Sequence, residues 1–338
     1  MKIHLKPISD QVMVITGASS GIGLTTAEMA AAEGARVILT SRNERDLLDA
    51  VNRIRSNGGR AYHIVGDVAN PDAMDAVADL AIEQFGRIDT WVNNAGIGMY
   101  GKLTETPLAD KRRLFDVDFW GVVHGCRTAV RHLRAGGGAI INVGSIASDR
   151  AMPLMGIYSA AEHAVKGYTD ALRMELEHDG FPISLSLVKP GSINTPFIAH
   201  ARSHMDAEPE YMPPVYPPED VARAILRCAA RPMRDVLVGG AARILTGMGA
   251  ISPRALDTFL EATAFTQQKR TEPNDEIDAL YAEQSDGQRR GPTSRHTMKS
   301  SAYTRASTSP VGLALPLLAA GAVAAGVAFR WTKGNGHA

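Results

Sequence analysis

The chain has 338 residues, 45% of them hydrophobic and 21% charged, with 36 basic residues against 36 acidic ones. That length and composition fit one large globular domain with an appendage, and the balanced charge offers no field to draw in nucleic acid. Two cysteines, Cys126 and Cys228, are too few for a disulfide framework and read as core thiols of an intracellular protein.

From the N-terminus, a mixed polar stretch without signal-peptide character gives way at once to the apolar run Val12-Met13-Val14-Ile15. Strands are predicted at Val12–Thr16, 36–40, 61–66, Thr90–Asn93, 139–143, 183–188 and 236–238. Several are continuously apolar, as strands of a parallel sheet are when helices cover both faces. Helices are predicted between them over 22–33, 43–56, 72–85, 108–133 and 158–177. Strand and helix alternating in this way give an α/β, Rossmann-type doubly wound parallel sheet of about seven strands, with a C-terminal extension.

The first strand runs into Thr16-Gly17-Ala18-Ser19-Ser20-Gly21-Ile22-Gly23 and then straight into a helix. Gly17 permits a tight exit, Gly21 a close approach of backbone to a pyrophosphate, and Gly23 close packing of helix on strand. The helix N-terminus supplies free N–H groups for the phosphates. At the end of the second strand stands Thr40-Ser41-Arg42, with no acid to hold a ribose 2′-hydroxyl. Arg42 offers a planar fork for a 2′-phosphate and Ser41 a further donor, which favours NADP(H).

Beyond residue 250 the composition shifts. Residues 1–250 are expected to form the dinucleotide-binding domain and 251–270 an additional helix. The polar stretch 271–309 is expected to be a disordered linker. Residues 311–329 carry no charged or hydroxylated side chain and as a helix would span about 28 Å, so 310–331 is a candidate transmembrane anchor. An Ala-rich tail that packs on a partner or remains disordered is the alternative. His200 and His204 are spaced four apart but lack a third ligand, so a solvated helix face is expected and no metal site.

Together these residues resemble the classical short-chain dehydrogenase/reductase family, over roughly residues 8–240. Its TGxxxGIG signature matches the turn above. Asp67-Val68 matches the pair that meets the adenine, and Asn93-Asn94-Ala95-Gly96 the NNAG segment lining the cofactor. Ser145 lies thirteen residues before Tyr158, as the family's serine does before its tyrosine. Pro190-Gly191-Ser192-Ile193-Asn194-Thr195 matches the segment at the nicotinamide end. The resemblance implies that Gly17, Ser19, Ser20, Gly21, Ile22, Gly23, Ser41, Arg42, Asp67, Val68, Asn94, Ala95, Gly96, Tyr158, Pro190, Gly191, Ile193 and Thr195 hold NADP(H). It also implies a small carbonyl or alcohol substrate, with Tyr158 as proton donor and Ser145 positioning the substrate oxygen. A homo-oligomer is a further family expectation.

Two positions depart from the family. Its lysine, four residues after the tyrosine, is here Glu162, and its asparagine is Asp118 within Asp116-Val117-Asp118-Phe119-Trp120-Gly121. An ionised carboxylate near the tyrosine pushes its pKa up, which hinders alcohol oxidation more than carbonyl reduction. Two functions follow as expectations: a reductase with impaired turnover, or a nucleotide-binding sensor or scaffold. A Glu162–Lys166 pair on the helix surface would instead leave the acid outside the site.

Overall fold

The computed structural model describes residues 3–274, 278–284 and 287–308. In chain order the first half contains β1 (Val12–Thr16), α1 (Gly21–Ala32), β2 (Arg36–Ser41), α2 (Glu44–Ser56), β3 (Arg60–Val65), α3 (Pro71–Phe85), β4 (Thr90–Asn93) and the short β5 (Met99–Tyr100). Then come α4 (Leu108–Phe115), a π-turn over Asp116–Trp120, α5 (Gly121–Leu133), β6 (Gly138–Val143), α6 (Gly156–His178) and β7 (Ile183–Pro190). The short β8 (Arg202–Ser203) and β9 (Ala207–Pro209) precede α7 (Pro218–Ala230) and β10 (Asp235–Val238). The extension holds α8 (Gly240–Ile251), α9 (Pro253–Gln267), β11 (Lys269–Pro273) and α10 (Ala302–Thr308).

Seven strands form the central sheet in the order β10-β7-β6-β4-β1-β2-β3. Every neighbouring pair is parallel. The period of two along a strand divides the core between the faces. Met13 and Ile15 of β1 pack on one side with Leu24 of α1 and Ile225 of α7. Val14 packs on the other with Met74 of α3 and Trp91 of β4. Each such side chain, fully buried, contributes about 1.5–3 kcal/mol. The order reverses between β1 and β4, where β1 leads to β2 on one side and β4 to β6 on the other. That switch point opens a crevice at the carboxyl ends of the strands.

Local signals set the helix starts. The Asn43 side chain accepts from Asp46 N (2.9 Å) to cap α2. Asn70 does the same for Asp72 N (3.0 Å) at α3, which has Pro71 in its first turn. The helix expected over 108–133 is interrupted by the π-turn at Asp116–Trp120. Its inserted residue leaves no trace in hydrophobic periodicity.

Parts of the polar stretch expected to be a disordered linker pack on the domain. Its polar groups find buried partners that composition alone does not show. Asp220 accepts from Ser300 Oγ (2.9 Å) and Ser301 N (2.6 Å), and Gly239 N donates to Thr304 Oγ1 (3.0 Å). Leu280 is fully buried. No helix of the described residues is long and apolar enough to cross a membrane. The candidate anchor at 310–331 lies outside them.

Candidate active site

The chain leaves β1 through Gly17 and Gly21, both left-handed (φ +63° and +54°), and enters α1. A Cβ on Gly17 would stand 2.8 Å from Ala95 Cα, and one on Gly23 2.2 Å from the Gly17 carbonyl oxygen. Backbone meets backbone here, so no side chain fits. Asn94 Nδ2 donates to the carbonyls of Thr16 (2.9 Å) and Gly17 (3.3 Å). Thr16 Oγ1 in return accepts from the N–H groups of Asn94 and Ala95. The end of β4 thereby clamps the turn.

Two cavities of about 180 Å³ each open beside this turn. The outer one is lined by Gly17, Ser19, Ser20, Gly21, Ser41, Arg42, Asp67 and Val68. The inner one is lined by Asp118, Ser145, Tyr158, Glu162, Pro190, Gly191 and Ile193. Ile22, Asn94, Ala95, Gly96, Thr195 and Phe197 line both, so the two are compartments of one cleft. Gly23 is buried beneath the turn. A glycine cradle at a helix N-terminus, with a guanidinium at one end of the cleft and a phenol at the other, is a donor set that fits a dinucleotide.

At the outer end Arg42 does not project freely. Its guanidinium donates to the carbonyls of Ala279 and, at 3.4 Å, Leu280. Burial holds its pKa below the ordinary arginine value. Asp67 accepts from Ala69 N (3.0 Å) and from Arg113 (2.5 Å).

At the inner end, Tyr158 and Glu162 lie one turn apart on α6, and both are buried. The Tyr158 hydroxyl faces the side chains of Ser145 and Glu162, which line the same cavity. Burial raises its pKa well above 10, and the charges of Glu162 and Asp118 raise it further. Burial likewise moves Glu162 up to about 7, against the hydrogen bond from Ser148 and the nearby Tyr158 hydroxyl. The π-turn places Asp118 inside the cavity wall, where Oδ1 accepts from Ile97 N (2.9 Å) and Oδ2 is buried without a partner. Desolvation, and then Glu162, push its carboxyl well above the usual range. The tyrosine therefore faces two carboxyls whose burial resists ionisation. A neutral phenol suits proton donation, not proton abstraction.

The surface pair of Glu162 with Lys166 is not formed. Lys166 turns to Asp149 (2.5 Å), which also receives Lys189 (2.7 Å), and Glu162 stays inside. His200 and His204 do not share a helix face. His204 follows β8 and pairs with Asp110 at 3.0 Å, while His200 lines the outer cavity. Among the described residues no cluster of three or more His, Cys, Asp or Glu side chains is arranged to hold a metal ion.

Sequence reasoning missed Ser148, whose spacing from Ser145 is a capping-box signal. The structure forms that box: Ser145 N donates to Ser148 Oγ and Ala147 N to Ser145 Oγ. It also missed Tyr100, Met152 and Met155 of the inner cavity's apolar wall, which Tyr211 and Met212 complete from the Met-, His-, Tyr- and Pro-rich stretch 197–218, whose place after the Pro190 segment resembles the family's variable substrate lid. Phe197 belongs to that wall, its ring set edge-on to Tyr158 at 5.6 Å. Gln268 reaches the cavity from the C-terminal end of α9.

The model of the short chain dehydrogenase family matches residues 11–206. The uncharacterized oxidoreductase YxnA of Bacillus subtilis is 42% identical over 316 residues, covering 92% of this chain and 88% of that protein. A short chain dehydrogenase/reductase from Burkholderia phymatum, solved in complex with NAD, superposes with a TM-score of 0.63 at 27% identity, covering 79% of this chain and 98% of that one. An alcohol dehydrogenase from Thermococcus sibiricus, complexed with 5-hydroxy-NADP, shares the fold with a TM-score of 0.60 at 22% identity, over 68% of this chain and 95% of that one.

Proposed function

The chain belongs to the short-chain dehydrogenase/reductase family, and from that premise we propose that it is an NADP(H)-dependent reductase of a carbonyl on an apolar substrate. One observation carries the proposal: a single cleft joins Arg42 at one end to the Ser145–Tyr158 pair at the other, across the glycine turn. Ser19, Ser20, Ile22 and the N-terminus of α1 would hold the pyrophosphate, and Arg42 with Ser41 the 2′-phosphate. Asp67 and Val68 would meet the adenine. Asn94, Ala95, Gly96, Pro190, Gly191, Ile193 and Thr195 would line the nicotinamide end. A reduced nicotinamide, when bound, supplies the hydride.

The chain's own residues then handle the oxygen. Ser145 positions the carbonyl, and the neutral Tyr158 hydroxyl gives its proton to the oxygen as negative charge develops there. Glu162 in place of the family's lysine removes a cation from beside the phenol. The direction the site favours is therefore reduction. Tyr100, Met152, Met155, Phe197, Tyr211 and Met212 give the substrate a wall of aromatic and thioether surface.

A second reading has its own observation. Two buried carboxyls, Asp118 and Glu162, surround the tyrosine and oppose negative charge on it. On that reading the protein binds coenzyme and turns over little, as a sensor or scaffold.

The test uses the full chain. NADPH and NADH binding are followed by coenzyme fluorescence, and turnover is followed over a panel of apolar ketones and aldehydes. The expected outcome is NADPH binding with measurable ketone reduction. Tyr158→Phe should lower kcat by about 10²–10⁴-fold with coenzyme affinity retained. Binding without turnover selects the sensor. Absence of affinity for either coenzyme refutes both readings.

A further inference from the structure

The outer end of the cleft contains a group that the glycine turn and β2 do not account for. Residues 278–284 come back from the C-terminal extension and lie against Arg42. The carbonyls of Ala279 and Leu280 accept from its guanidinium, and Arg113 Nε also donates to Leu280 O (3.1 Å). Leu280 is fully buried in the core cluster that contains Val68 and Val117. Tyr281 Oη donates to Asp110 (2.9 Å), and Asp278 pairs with Arg202 (3.1 Å). Asn43 Nδ2 donates to Gln284 O (3.3 Å). The segment is thus fixed to the domain at several independent points.

Its side chains bring charge with them. Glu283 lines the outer cavity together with Arg42. Asp67, Glu283 and Asp278 all act on the Arg42 guanidinium as negative neighbours, against Arg113 as a positive one. A ribose hydroxyl brought to this place meets acceptors it can donate to. A 2′-phosphate, which carries close to two negative charges and only acceptor oxygens when ionised, meets carbonyls already bonded to its cation and carboxylates close beside it.

We infer that the segment 278–284 is a coenzyme selector, which competes with a ribose 2′-phosphate for Arg42 and, through Glu283, opposes that phosphate. The inference rests on the dinucleotide reading above and sharpens it. NADP(H) specificity in this chain is then the result of a contest at Arg42, with the C-terminal extension on the opposing side. Glu283 is the specificity-determining residue of the segment, since its side chain is exposed and lines the cavity beside Arg42.

The experiment measures NADPH and NADH dissociation constants on the full chain and its variants and reads their ratio. Glu283→Gln should shift that ratio towards NADPH by about fivefold, the scale of one partly exposed charge pair. Glu283→Asp, which keeps the charge, should leave the ratio near its native value. The Glu283→Gln shift should shrink at high salt, because screening weakens a charge effect and leaves a packing effect untouched. A ratio that stays within twofold in Glu283→Gln, or a shift that ignores salt, overturns the selector. If native chain and variants bind neither coenzyme, it is the dinucleotide reading that fails.

Discussion

The Ser148 hydroxyl joins Ser145 to Glu162: it accepts from Ser145 N at 3.1 Å and donates to Glu162 Oε2 at 3.0 Å. The carboxyl that stands in place of the family's lysine is therefore tied to the turn that presents Ser145. Replacing it by a cation sets a full positive charge beside Tyr158 where a partly ionised carboxyl stood, and leaves Ser148 Oγ free to accept. Glu162→Lys is expected to raise kcat/KM for ketone reduction by about tenfold or more at neutral pH, since a cation favours the charge that develops on the phenol oxygen. Steady-state rates of the two proteins on one substrate decide this. No gain would mean that position 162 does not limit the chemistry.

The same carboxyl links stability to pH. Its pKa in the folded chain is about 7, raised from an ordinary 4.5 chiefly by burial. Between those values the folded state holds a proton that the unfolded state has lost, so stability falls as pH rises. The contribution is fully present below 4.5 and gone above about 7. Glu162→Gln has no proton to lose and keeps an acceptor for Ser148. It should match the native chain near pH 4.5 and exceed it at pH 8, by on the order of 2–3 kcal/mol. Urea unfolding at the two pH values measures the difference. Equal gaps at both would place Glu162 in water in the folded chain.

Arg42 offers a direct measure of the outer end. Losing a guanidinium that makes charge-assisted hydrogen bonds to a phosphate costs about 1.5–3 kcal/mol, or roughly 10- to 100-fold in affinity. Arg42→Ala should weaken NADPH by that factor and NADH much less, because only the former carries the extra phosphate. Fluorescence titration of both coenzymes gives the answer. A parallel loss for the two would assign Arg42 a structural role in holding Ala279 and Leu280.

The sheet was legible because several of its strands are short, continuously apolar runs set between helical stretches. Val12–Thr16 and Thr90–Asn93 coincide with their predicted limits, and the other five differ by a residue or two at their ends. The glycine turn was legible because steric need leaves a mark in sequence. What stayed hidden depends on contacts between distant segments. Arg42 looks like a free cation beside its own strand, and its carbonyl partners lie 237 and 238 residues away. The π-turn that aims Asp118 at the cavity has no periodic signature. Glu162 was legible as an anomaly, but its burial came only from the packing of α6 against the turn at Ser148.

Gly23 tests the cradle without touching a charged group. A Cβ there would stand 2.2 Å from the Gly17 carbonyl oxygen and 2.6 Å from Asn94 Nδ2. Both neighbours are held: Gly17 by its left-handed φ, and Asn94 by its bonds to the Thr16 and Gly17 carbonyls. Rotating a side chain cannot relieve the first contact, because both atoms belong to the ends of the same tight turn. Gly23→Ala must therefore push α1 away from β1, which displaces the N–H groups at its N-terminus from any bound phosphate. Overpacking of this kind costs about 1–3 kcal/mol, so coenzyme affinity should fall by roughly 5- to 150-fold. Thermal unfolding of the same variant separates the two costs. A chain that unfolds at the native temperature yet loses affinity locates the damage in the turn, whereas full affinity would show that the cradle tolerates a methyl group and is not the anion site.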